Sequence, residues 1–87
     1  MGRYSIEIKR SAVKEIERLP RHDIKAVLDA IASLAENPRP HGSKKLSGQE
    51  KYRLRCGNYR ILYSIEDDVL TVFIVKVGHR KDVYRGI

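Results

Sequence analysis

The stretch 69–77 constrains this chain more than any other. Val69, Leu70, Val72, Phe73, Ile74, Val75 and Val77 put apolar side chains at both parities, and only Thr71 and Lys76 interrupt them. A strand that is apolar on both faces belongs in the middle of a sheet. It needs neighbours, and the sequence before it supplies two. Residues 52–56 alternate, with Tyr52, Leu54 and Cys56 on one face and Arg53 and Arg55 on the other. Residues 59–65 alternate again, with Tyr59, Ile61, Tyr63 and Ile65 opposite Arg60, Leu62 and Ser64. Strict alternation is the mark of a half-buried strand. Gly57-Asn58 is a hairpin signal and Asp67-Asp68 marks the next turn. A meander of three strands, ended by Gly78, is therefore predicted.

The first half reads as one more strand and two helices. In 3–9, Tyr4, Ile6 and Ile8 alternate with polar residues. Ser11 is the expected N-cap of a helix carrying Val13, Ile16 and Leu19 up to Pro20. A second helix over 23–36 bears the stripe Ile24, Val27, Leu28, Ile31 and Leu34, and Asn37-Pro38 stops it. Residues 39–50 read as a loop, with a short extended piece at Lys44, Lys45 and Leu46. The order β-α-α-β-β-β predicts an α+β fold in a single domain, 1–87. A helical hairpin would pack on one face of a small twisted antiparallel sheet. Arg53, Arg55, Arg60 and Arg80 would then occupy the opposite face.

Charge is unevenly placed along the 87 residues, whose net charge is +7. Residues 1–38 carry +1 and residues 39–87 carry +6. Within 39–60 seven bases face a single acid, Glu50. Such a cluster fits a polyanion. The lone Cys56 rules out an intramolecular disulfide framework and suits a reducing compartment. No leader peptide is read at the start, and 69–77 is too short to span a membrane. A cytoplasmic location, with no membrane partner, is expected.

Several chemistries find no support. There is no Gly-rich phosphate loop. His22, His41, His79 and Cys56 are scattered, so no metal or cofactor is expected. Glu66, Asp67 and Asp68 read as a solvated turn. Parity puts Cys56 on the core face, which argues against a Cys56–His79 nucleophile pair. What remains is cation plus tyrosine at strand ends: Arg60 between Tyr59 and Tyr63, and Arg80 followed by Lys81 and Tyr84. Guanidinium forks hold phosphates and tyrosine rings stack on bases. Tyr59 and Tyr63 share the parity of Ile61, so packing is the expected role for both. RNA can be cut by its own 2′-OH attacking the adjacent phosphate. The protein then has to remove one proton, supply another and stabilise a phosphorane.

The chain resembles the RelE/ParE superfamily of toxins, and RelE-type messenger RNA interferases in particular. Three motifs carry the likeness: Lys45-Leu46-Ser47-Gly48; Tyr52-Arg53-Leu54-Arg55 with Gly57-Asn58-Tyr59-Arg60-Ile61-Leu62-Tyr63; and Gly78-His79-Arg80-Lys81-Asp82-Val83-Tyr84. The resemblance covers essentially the whole length. It implies the toxin of a toxin–antitoxin system, which cleaves messenger RNA in the ribosomal A site without metal. It further implies that Lys51 and Arg53 lie near the scissile phosphate, that Arg60 and Arg80 bind it, that Tyr84 stacks on or protonates the substrate, and that His79 serves as an acid or base. Lys44, Lys45, Arg55 and Lys81 would add RNA binding. Arg53 stands where RelE has a lysine, and arginine is a poor base, so that role passes to Lys51 or His79. The implied partners are the ribosome, messenger RNA and an acidic RelB-like antitoxin segment that folds over the basic face. Two other readings stay open: a ParE-type toxin that inhibits DNA gyrase, and an inactive relative that only binds an antitoxin or RNA.

Overall fold

The computed structural model describes residues 3–46, 48 and 50–79. Among these, the chain runs β1 (Ser5–Ile8), α1 (Arg10–Glu17), α2 (Arg21–Ser33), β2 (Ser43–Lys45), β3 (Tyr52–Cys56), β4 (Tyr59–Glu66), a 3-10 turn (Asp67–Val69) and β5 (Thr71–His79). The strands form one sheet in the order β1-β5-β4-β3-β2. β5 is interior, as its apolar character predicts. The helical hairpin on a twisted sheet is the predicted α+β architecture, with two differences. The extended piece in the loop is a true strand, β2, paired antiparallel with β3. β1 joins β5 in parallel, so the sheet is mixed. The helical hairpin is what permits this, because a parallel neighbour needs a long crossover.

The helices begin slightly earlier than expected. α1 starts at Arg10 with Lys9 as its cap, and no side chain caps the helix, so Ser11 already lies inside it. Pro20 stands at the N-cap of α2. It can occupy that place because it has no N–H to leave unpaired. α1 buries Ala12 and Ile16 against β5, while α2 buries Val27 and Ile31, with Leu34 buried at its C-cap. Leu28, expected in the stripe, is exposed. The core joins these side chains to Leu54, Ile61, Tyr63, Val72, Ile74 and Val77. No described helix is long and apolar enough to cross a membrane.

β3 and β4 meet in a two-residue turn, with Cys56 opposite Tyr59. Gly57 sits there at φ 58°. A positive φ at the first turn residue matches the twist of the flanking strands, and glycine reaches it without strain. Between β4 and β5 the register slips: Leu62 pairs with Lys76, but Tyr63 pairs with Ile74. Val75 is thus the extra residue of a bulge. Beyond it the parity of β5 inverts, so Val72, Ile74 and Val77 all reach the core. Inversion, and not simple burial on both faces, explains part of the apolar run.

Candidate functional site

Pairing register sorts the basic residues. Lys44 on β2 stands opposite Arg53 on β3, and Arg53 stands opposite Leu62 on β4. Arg55 stands opposite Arg60, and Arg60 opposite Gly78. Residues paired across strands share a face, so Lys44, Arg53, Arg55 and Arg60 share the sheet face away from the helices. Lys51, directly before β3, has the parity of Arg53. Lys44 and Arg55 are exposed, Lys51 and Arg53 are half-buried, and Arg60 is only 7% exposed. The Arg60 Nη1 donates to the carbonyl oxygen of Tyr59 at 3.2 Å. Like charges directly opposite one another destabilise a sheet. Two such pairs, Lys44/Arg53 and Arg55/Arg60, lie side by side here.

Other predicted residues fall elsewhere. Lys45 pairs with Tyr52, and Tyr52 with Tyr63, so Lys45 has the parity of the core side. Its ammonium lies 3.5 Å from the Glu50 carboxylate. His79 pairs with Tyr59 and meets that ring edge-on, with centroids 6.2 Å apart. The bulge at Val75 has turned His79 to the helix side, away from Arg53, Arg55 and Arg60. Arg39, counted within the basic cluster, is likewise withdrawn from it by an acid. Arg80, Lys81 and Tyr84 lie outside the described residues.

His79 instead lines a pocket of about 230 Å³ with Asp23, Ala26, Cys56, Gly57, Asn58 and Tyr59. The Tyr59 hydroxyl donates to Asp23 Oδ2 at 2.9 Å. That bond raises the Tyr59 pKa, since ionising the phenol would place two negative charges together. Burial, followed by the charge of Asp23, raises the Cys56 thiol. A raised pKa keeps the sulfur protonated and a poor nucleophile. Sequence parity anticipated that outcome, but it gave no sign that α2 would bring Asp23 to Tyr59. Among the described residues, no three His, Cys, Asp or Glu side chains gather in a way that could hold a metal ion.

A second polar cluster shapes the approach to β2. Arg39 donates from Nη2 to Asp67 Oδ2 at 3.0 Å and from Nε to the Tyr52 hydroxyl at 3.2 Å. The Tyr4 hydroxyl donates to Asp67 Oδ1 at 2.7 Å. The turn read as merely solvated therefore ties together the residue before β1, the loop after α2 and β3. Bonds from Arg39 first and Tyr4 second hold the Asp67 carboxyl below its ordinary value. A depressed carboxylate contributes stability above its unfolded pKa and loses it as pH falls through the folded one. Thermal melts should therefore show the parent losing stability between about pH 5 and pH 2 more steeply than Asp67→Asn protein, which lacks this titration. Equal slopes would remove the cluster from the acid response.

The described residues form a small α+β protein, with a helical hairpin on one face of the sheet and Lys44, Arg53, Arg55 and Arg60 on the other. The family model "ParE toxin of type II toxin-antitoxin system, parDE" matches residues 6–84. The chain belongs to this family, and it is a RelE-type toxin of a toxin–antitoxin system. It is 34% identical to the toxin RelG of Mycobacterium tuberculosis over 94% of this chain and 97% of that one. It is 28% identical to the mRNA interferase toxin RelE of Escherichia coli, over 90% and 84% of the two chains. The archaeal RelE–RelB complex from Pyrococcus horikoshii has a similar fold, with a TM-score of 0.82, 28% identity and coverage of 93% and 99%.

Proposed function

We propose that this chain is a ribosome-dependent endoribonuclease that cuts messenger RNA in the A site, and that an antitoxin masks its cationic face until it is released. The two like-charged cross-strand pairs carry this reading. Lys44, Arg53, Arg55 and Arg60 gathered on one sheet face attract a polyanion such as RNA. The name of the Escherichia coli relative supports the activity. The RelE–RelB complex supports an antitoxin partner.

The chemistry assigns roles by residue type. The nucleophile is the substrate's own 2′-OH, so the protein supplies proton transfer and charge. Arg60, Arg53 and, from the sequence, Arg80 would grip the phosphate and stabilise the phosphorane. Arg55 and Lys44 would hold the flanking backbone. Lys51 is the proton-transfer candidate that shares the arginines' parity. Tyr84 would stack on the substrate.

The matching family model's ParE description supplies the second reading, a toxin directed at DNA gyrase. Primer extension on messages translated in an extract, set beside a gyrase supercoiling assay, separates the two. New 5′ ends within codons are expected, with supercoiling untouched. Arg53→Ala should weaken these stops roughly tenfold or more, since a hydrogen bond to a charged group contributes about 1.5–3 kcal/mol. Intact messages beside inhibited supercoiling would reverse the assignment. Loss of both would leave a binding-only relative.

A further inference from the structure

β1 covers only part of the outer edge of β5. Its pairing ends at Ile8 opposite Ile74, and the Lys9 N–H closes the ladder on the Ile74 carbonyl at 2.9 Å. The chain then leaves the sheet into α1. β5 continues to His79 with no described strand on that side. An uncovered edge leaves backbone N–H groups without ladder partners. The same stretch lies just past the bulge at Val75, where a ladder is locally disrupted and a strand bends.

Glu15 of α1 occupies the missing strand's place. Its Oε1 accepts the Val77 N–H at 3.0 Å, and its Oε2 accepts the Lys76 ammonium, also at 3.0 Å. The Glu15 and Lys76 side chains are each 26% exposed. A carboxylate bound to a backbone amide makes a charge-assisted bond, shorter and stronger than a neutral one. The lysine balances the partly buried charge. Glu15 thus acts as one rung of a β ladder supplied by a helix.

What this rung steadies is the back of the cationic face. Val77 is followed by Gly78, the strand partner of Arg60. His79 follows and ends the described strand, and Arg80 is the next residue in sequence. We infer that Glu15 is a positioning residue for the RNA-cleaving site: it fixes the end of β5 and, through the backbone, the placement of Arg60 and of the chain entering Arg80. The inference rests on the activity proposed above. Glu15 is an acid at the edge of the sheet, and its link to the cationic face runs through Lys76, the strand partner of Leu62, which itself pairs with Arg53.

The test compares Glu15→Ala and Glu15→Gln proteins with the parent. Three quantities are read: single-turnover cleavage on programmed ribosomes as a function of toxin concentration, amide exchange across β5, and the melting temperature. Glutamine keeps an oxygen for the Val77 N–H and loses only the ion pair. Glu15→Ala should exchange faster at residues 75–79 alone. Its maximal rate should fall roughly ten- to a hundredfold, the scale of a small misplacement of catalytic groups, with half-saturation little changed. Glu15→Gln should restore both rate and protection. Parent-like exchange at Val77 in Glu15→Ala, or an unchanged rate, overturns the inference. So does a rate loss that follows the melting temperature and that glutamine does not repair. If the parent itself leaves messages intact, the activity reading fails instead, and exchange at Val77 still decides whether Glu15 holds the strand.

Discussion

Arg60→Ala protein added to a translating extract is expected to cut messages about a hundred- to a thousandfold more slowly than the parent, the usual loss when one preorganised donor to a developing charge is removed. Arg60→Lys should recover little of it. Lysine is a point charge, whereas the guanidinium fork matches two phosphate oxygens at once. The side chain sits deep, at 7% exposure, and Nη1 also holds the Tyr59 carbonyl. Arg60 thus has a structural role as well, and melting curves accompany the assay to separate the two. A folded Arg60→Ala protein that cuts at the parental rate removes Arg60 from the site. If alanine unfolds the chain, Arg60→Gln provides the same comparison, because it keeps a donor and removes the charge.

Tyr63→Ala should be the most destabilising of the substitutions considered. Tyr63 is fully buried, lies in stacked contact with Tyr52 at 5.7 Å between centroids, and donates its hydroxyl to the Pro38 carbonyl at 2.8 Å. Truncating a buried aromatic side chain costs about 3–5 kcal/mol. A domain's whole stability is about 5–15 kcal/mol, and small domains lie low in that range. Urea unfolding should therefore find Tyr63→Ala largely unfolded at 37 °C. Tyr63→Phe, which keeps the ring and leaves the Pro38 oxygen without that donor, should lose only about 1–2 kcal/mol. A small effect of alanine would mean that the core collapses around the gap. Because an unfolded toxin is also harmless, this variant is the control against which loss of toxicity in Arg60→Ala should be judged.

The architecture was legible from periodicity because its strands obey it. Tyr59, Ile61 and Tyr63 face the core as alternation requires, and β5 lies inside the sheet as its apolar character requires. Two things escaped. The parallel seat of β1 is a long-range pairing that no local pattern encodes. The bulge at Val75 leaves no residue signature, since valine suits a regular strand equally well. That bulge decides the face of His79, which regular alternation through β5 would assign to the other side. Lys45 was grouped with Lys44 because both belong to one basic run, yet neighbours on a strand point to opposite faces. Asp67 looked solvated because its partners, Tyr4 and Arg39, are distant in sequence. Arg53, Arg55 and Arg60 were placed correctly because alternation alone fixes their face.

The parallel pairing of β1 with β5 also sets an order of events. Ser5 has no partner until Thr71 exists, and Glu15 has no rung to supply until Val77 does. The β3–β4 hairpin can close locally, but the strand behind Arg60 cannot be seated before almost all of the described chain has been made. Contacts that span the chain form slowly, because their loops must close before any pairing offsets the entropy. A partly synthesised chain therefore carries the arginines without the framework that aligns them. For a protein whose proposed target is the translating ribosome, assembly is a timer: the cationic face is whole only after β5 has been made.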